Sequence, residues 1–255
     1  MTPRTRRALV TGGGSGLSSG IAASLAAYGF AHVAITYRKS DPASTLKAVE
    51  NAGARASATQ VDFGGDASVV AAALHRLVEA EGPFDTLVHG VGELMVKRFV
   101  NLTIDDYTNV FDANIRSAVL AAQAVLPSMR ESRFGRIVVF GGNGSSETRP
   151  YRGFSFYQAS KSALVAFARA LAIEEAQFGV TVNVIEPGDI RDKRQSRADA
   201  MAAQSPIPRG RPGSFEDVAD VVRFLIAPER DFITGAVIGV TGGLTQADGR
   251  NANHS

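Results

Sequence analysis

The chain contains no cysteine and only four histidines in 255 residues, and aromatic residues make up just 7%. Without cysteine there is no disulfide scaffold, thiol nucleophile, redox pair or Cys-type zinc site. His32, His75, His89 and His254 are scattered without metal-ligand spacing, so no metal centre is expected. No apolar run approaches the ~20 residues that span a bilayer. The N-terminal stretch carrying Arg4, Arg6 and Arg7 runs straight into a short apolar segment, unlike a secretion signal. These absences predict a soluble, cytoplasmic protein with no membrane partner. An excess of one charge is also missing: 27 basic against 25 acidic residues leave a formal +2. That field is too weak to argue for nucleic acid, and the three arginines read as a solvated terminus.

What is present is a 45% hydrophobic chain with 26 glycines, long enough for one large α/β domain or two small ones. Short apolar runs alternate with helical patterns from end to end, the signal of strand–helix–strand units around a parallel sheet. The spacing predicts strands at 8–12, 32–38, 58–63, 86–90, 136–141, 181–187 and 236–240. It predicts helices at about 16–29, 42–53, 66–81, 103–130, 158–178 and 214–227. Asp41, as an N-cap before Pro42, and Ser214 through Asp217 read as helix starts; Gly29, Gly53 and Gly179 read as stops. With no repeat, linker or shift in composition, one domain over 1–245 is expected, followed by a frayed tail from Gln246 to Ser255. Two stretches, 142–156 and 189–213, lack clean periodicity and are loops of a length that is usually functional.

The first strand ends in Thr11-Gly-Gly-Gly-Ser-Gly-Leu-Ser18 and enters an alanine-rich helix. Glycines there permit a tight turn and let a phosphate approach the helix N-terminus, where free N–H groups and the helix dipole favour negative charge. In a dinucleotide fold, the residue ending the second strand selects the ribose: a carboxylate for a 2′-hydroxyl, an arginine for a 2′-phosphate. Arg38 and Lys39 stand there, which favours NADP(H) over NAD(H); alternatively they merely cap an exposed strand end. Further on, Tyr157-Gln-Ala-Ser-Lys161 opens a strong helical pattern. A spacing of four puts phenol and ammonium on one side of the helix. The cation is expected to lower the phenol pKa and make Tyr157 a usable general acid or base.

These motifs, in this order, resemble the short-chain dehydrogenase/reductase family, in particular its small single-domain members such as ketoacyl reductases. The resemblance spans residues 5–245: the turn at 11–18, Asp62, Asn114, Tyr157 with Lys161, Pro187-Gly188 and Thr241-Gly242-Gly243. It implies an α/β fold, a Rossmann-like doubly wound domain with a seven-stranded parallel sheet flanked by helices. It also implies hydride transfer between a nicotinamide and a carbonyl or secondary alcohol, and a homotetramer or dimer. Tyr157 would pass the proton, Lys161 would hold the ribose and tune the phenol, and Asn114 would support a water relay. The cofactor would be held by Gly12, Gly14, Ser15, Gly16, Leu17, Arg38, Lys39, Asp62, Phe63, His89, Gly90, Val91, Tyr157, Lys161, Pro187, Gly188 and Ile190.

Three departures accompany the matches. Ser18 replaces the last glycine of the turn, which should slightly alter helix–strand packing. His89-Gly90-Val91-Gly92 replaces Asn-Asn-Ala-Gly, with a structural role expected for His89. Gly142 stands where the family places its substrate-orienting serine, a loss worth on the order of a hundredfold in rate. The loop before Tyr157 is about two residues longer than in common members. One of Ser145 and Ser146, Ser145 first, is expected to fold back as the missing catalytic donor; Asn143 could also serve. Alternatively both serines are ordinary loop groups and the enzyme is weak or inactive. Tyr151, Phe154 and Phe156 suggest a small apolar or ring-containing substrate, or packing against a neighbouring subunit. A catalytically impaired relative acting as a nucleotide-sensing or partner-binding module is the second reading.

Overall fold

The computed structural model describes residues 5–190 and 195–244. The expected tail from Gln246 to Ser255 and residues 191–194 of the second irregular loop lie outside the described residues. Seven strands, β1 (Arg7–Thr11), β2 (His32–Tyr37), β3 (Arg55–Gln60), β4 (Thr86–His89), β5 (Gly135–Phe140), β6 (Val180–Pro187) and β7 (Val237–Val240), form one sheet in the order β3-β2-β1-β4-β5-β6-β7. Every pairing is parallel. The order reverses between β1 and β4, the point at which open α/β sheets bind ligands beyond their strand ends.

Alternation along each strand feeds two cores. Leu9, Leu87, Ile137, Val139, Val182 and Val184 join one buried cluster, together with side chains of α3 (Ala67–Glu81), α5 (Ser117–Glu131) and α6 (Ser155–Glu175). Ala8, Val10, Val33, Ile35, Val88, Val138 and Ile185 join the other, with α1 (Gly16–Ala27), α2 (Ala43–Asn51) and α8 (Phe215–Ile226). Strands apolar on both faces therefore read as continuous runs in sequence.

The edge strand departs from its expected place. β3 covers Arg55–Gln60, not 58–63, because an edge strand carries partly exposed polar residues while Val61 and Phe63 are buried in the following loop. There they pack with Val70, Leu74 and Ala124. Within the second irregular loop a short helix, α7 (Arg197–Ala202), is capped by the Ser196 side chain accepting from the Asp199 N–H. Gly29, Gly53 and Gly179 end helices with left-handed backbones, as expected. Asp41 is not the N-cap: Pro42 holds that position, and the Asp41 carboxylate accepts from the Ala43 N–H at 2.9 Å. Ser214 and Asp217 form a full capping box, and Arg211 makes two hydrogen bonds to the Asp217 carboxylate.

The predicted helix 103–130 is a continuous run of three parts: α4 (Ile104–Phe111), a π-helical turn over Asp112–Arg116, and α5. The π turn holds Asn114. Such turns insert one extra residue into a helix and frequently mark functional sites.

Candidate active site

The ends of β1 and β4 meet first. Gly12 has φ +69, its N–H donates to Thr36 Oγ1 at 3.1 Å, and a Cβ there would lie 3.2 Å from the Gly90 backbone carbon. A Cβ on Gly14 would meet Tyr37 Cβ at 2.7 Å, so the turn lies flat against β2. Ser15 precedes α1 in an extended conformation and its side chain makes no capping bond; Gly16 begins the helix and Leu17 packs into the second core. The first turn of α1 thus has no side-chain cap and no acidic residue. Bare N–H donors at a glycine-lined helix start suit a pyrophosphate. The residues present therefore fit a dinucleotide.

Around that turn, Arg38 and Lys39 are exposed beyond β2, and the Arg38 carbonyl accepts from Gln60 Nε2. Asp62 is exposed and accepts from the Gly64 N–H at 3.1 Å, while Phe63 is buried edge-on to the His89 ring. Val91 packs against the third cluster. At the end of β6, Gly188 leaves no room for a side chain beside Thr241, Pro187 is half-buried, and Ile190 packs against the second core.

His89 has the interior role expected of it, through side chains instead of backbone. Its Nδ1 pairs with Thr11 Oγ1 at 2.8 Å and its Nε2 with Ser117 Oγ at 3.0 Å. Burial, reinforced by the Lys161 charge, pushes the imidazole down to about 3. Both ring nitrogens are engaged inside the fold, so any contact of His89 with a nucleotide falls to its backbone. Between about pH 3 and 6.5 the unfolded chain binds a proton here that the folded chain does not. Stability from this group is therefore complete above about pH 6.5 and is lost as pH falls, with a slope approaching about 1.4 kcal/mol per pH unit. His32, also pushed down mainly by burial, acts in the same direction. Urea unfolding of His89→Gln across pH 4–6.5 should show a shallower slope; a slope equal to the wild type would refute this assignment.

Tyr157 and Lys161 lie in the first turns of α6, facing the ends of β4 and β5. The Lys161 ammonium donates to the Phe140 carbonyl at 2.8 Å and lies 6.0 Å from the Tyr157 ring centroid. The expected lowering of the phenol pKa is not found: burial holds Tyr157 above its ordinary value. Asn114 is clamped to the segment after β4. Its Oδ1 accepts from the Glu93 N–H, while its Nδ2 donates to the Glu93 carbonyl and to Ser160 Oγ. Gly92 is required here, since a Cβ would meet Asn114 Oδ1 at 2.8 Å and Lys161 Nζ at 3.1 Å.

The relocated-donor expectation is corrected. Ser145 is buried and its hydroxyl donates to Glu186 Oε1 at 2.8 Å, while its oxygen accepts from the Gly142 N–H at 3.1 Å. Its one proton is committed to a carboxylate. Asn143 Nδ2 is directed to the Tyr151 hydroxyl at 3.5 Å, and the Ser146 N–H also donates to Glu186. The place of the missing serine is bordered by the proton-transfer pair itself: a Cβ on Gly142 would lie 3.2 Å from Tyr157 Oη and 3.4 Å from Lys161 Cγ. Of the aromatic residues, Phe154 stacks edge-on to Tyr157 at 5.9 Å and Tyr151 adjoins Phe154. Phe156 instead turns to Phe99 and Tyr107.

Glu186 and Ser160 are parts of this arrangement that sequence reasoning missed. The one charged residue of a strand that is otherwise uncharged, between Ile185 and Pro187, was the available signal for Glu186. Ser18 fills space against Gly90, where an added Cβ would fall 1.8 Å from its hydroxyl. The altered turn and the altered segment after β4 are thus one compensated change in volume.

A family model described as enoyl-(acyl carrier protein) reductase matches residues 12–245. The short-chain reductase protein NovJ of Streptomyces niveus is 32% identical, over 92% of this chain and 92% of its own. The 3-oxoacyl-(acyl-carrier-protein) reductase FabG of Escherichia coli is 30% identical, over 93% of this chain and 96% of its own. Among solved structures, acetoin dehydrogenase from Enterobacter cloacae is similar with a TM-score of 0.85 at 28% identity, covering 95% of this chain and 96% of that one.

Proposed function

The chain belongs to the short-chain dehydrogenase/reductase family of oxidoreductases, and we propose that it is an NADP(H)-dependent carbonyl reductase acting on small apolar or ring-bearing ketones. The observation that carries this reading is the convergence of Tyr157, Lys161 and Asn114 on the strand ends that hold the glycine turn. A bound nicotinamide dinucleotide supplies the hydride. Gly12, Gly14, Ser15, Gly16 and Leu17 would seat its pyrophosphate, Asp62 and Phe63 its adenine, and Gly90 and Val91 the middle of the molecule. Pro187, Gly188 and Ile190 would line the nicotinamide, and Lys161 the ribose beside it. Tyr157 Oη donates the proton to the carbonyl oxygen. Lys161, tied to Phe140, and Asn114, tied to Glu93, keep the floor of the site fixed while that proton moves.

With Gly142 in the serine position, Tyr157 acts without a neighbouring hydroxyl. The reaction is therefore slow for this chemistry, by on the order of a hundredfold. Phe154 and Tyr151 give the substrate an aromatic wall leading away from the phenol. NADPH consumption with a panel of ketones and quinones tests the activity. Absence of turnover with every member, in protein that binds NADPH, would refute it.

Preference for NADP(H) rests on Arg38 and Lys39, exposed where the 2′-phosphate would lie; the nearby Asp41 carboxylate turns back to Ala43. A charge-assisted hydrogen bond contributes roughly 1.5–3 kcal/mol. Arg38→Asp is therefore expected to raise Kd for NADPH ten- to a hundredfold and to improve NADH binding. Equal affinities of the wild type for the two nucleotides would rule the preference out. We further propose that one domain spans 1–245, that the protein is a cytoplasmic homotetramer or dimer, and that neither metal nor nucleic acid takes part.

A further inference from the structure

Glu186 is the last residue of β6 before Pro187, and it is 6% exposed. Taking a carboxylate out of water costs several kcal/mol unless donors replace the lost solvation. Three do so, all from one turn: the Gly144 N–H at 3.0 Å on Oε2, with Ser145 Oγ at 2.8 Å and the Ser146 N–H at 2.7 Å on Oε1. Ser145 Oγ passes the grip on by accepting from the Gly142 N–H. Ser162 on α6 adds a bond to the Ser145 carbonyl at 2.8 Å.

Space is arranged to match. A Cβ on Gly141 would lie 2.8 Å from Ser145 Oγ and 3.1 Å from Glu186 Cγ, so this glycine admits the carboxylate arm. A Cβ on Gly142 would lie 3.2 Å from Tyr157 Oη and 3.4 Å from Lys161 Cγ, so this one admits the phenol and the lysine stem. One dipeptide is held by Glu186 on one side and touched by the proton-transfer pair on the other. Displacement of the turn would let water reach the phenol or move it from its place.

We propose that Glu186 is a positioning residue for Tyr157: its carboxylate, through Ser145, fixes the turn at 142–146 as the wall against which the phenol is set. In its catalytic consequence this rests on the hydride-transfer reading above. Glu186→Gln tests it, because an amide keeps the shape while presenting a donor to N–H groups that are themselves donors. With the fold verified by circular dichroism, kcat should fall at least tenfold while Kd for NADPH stays within twofold. Burial keeps the Tyr157 phenol above its ordinary value. Ultraviolet titration, with Tyr157→Phe subtracted, should therefore show that pKa falling towards about 10 in Glu186→Gln. Ser145→Ala, which removes one donor and the link to Gly142, should shift both readouts the same way by less, and serves if Glu186→Gln fails to fold. Unchanged kcat with an unchanged phenol titration overturns the proposal. If the wild type itself turns over no ketone, the hydride-transfer reading has failed, and the phenol titration alone decides the role of Glu186.

Discussion

Replacing Tyr157 with phenylalanine is expected to lower turnover of NADPH with a reducible ketone by about a thousandfold, within the range for loss of a positioned proton donor. Nucleotide affinity should change little, because the ring and its edge-on contact with Phe154 remain. The pH dependence follows from the environment of the phenol. Burial disfavours the phenolate and raises its pKa. The protonated acid needed for reduction therefore persists through neutral pH, and the rate of reduction should decline only above about pH 10. Oxidation of the alcohol needs the phenolate and should rise over the same interval. Retention of more than a tenth of wild-type turnover in Tyr157→Phe would mean that the proton comes from another group.

Gly90→Ala should cost about 2–3 kcal/mol of stability, the scale of overpacking in a filled core. Gly90 does not have a left-handed backbone, so the restriction is one of space. Its new Cβ would fall 1.8 Å from Ser18 Oγ, 3.0 Å from Ser18 Cβ and 3.0 Å from the Thr11 carbonyl oxygen. In a chain of this size the corresponding drop in Tm is roughly 4–12 °C. Ser18→Gly in the same chain should recover at least about 1 kcal/mol of the loss, since contacting positions do not add independently. If the two substitutions prove additive, they do not share a space.

Legibility in the sequence followed the range of the interactions. β5 and β6 stood out because both faces of each are buried. β3 was displaced by three residues because the apolar pair that marked it, Val61 and Phe63, serves a cluster beyond the strand. α7 has one buried residue in six, Ala200, too few for a periodic signal. Tyr157 and Lys161 were recognisable from local spacing, and the clustered glycines from their succession. The fate of Ser145 was not, because it depends on Glu186, 41 positions away. The two partners of His89 lie 78 and 28 positions away, and nothing local to the histidine names them. The pKa of Tyr157 was misjudged because spacing places the lysine near the ring but leaves open how deeply both are buried.

The π turn at Asp112–Arg116 has a consequence in helical phase. Each residue of an α-helix advances the side-chain direction by about 100°. One extra residue lets α4 and α5 share an axis while their faces are set independently. On the α5 side, Ala118, Ala121, Ala122 and Val125 face the first core. On the α4 side, Lys97 is tied to the Asp106 carboxylate of the capping box. Tightening the turn to α geometry with every residue kept would rotate one half against the other by about that angle. Either the alanine face would leave the core, or the α4 face would turn away from Lys97. The turn is thus a phase adjuster, and Asn114 sits at the point where the two settings meet.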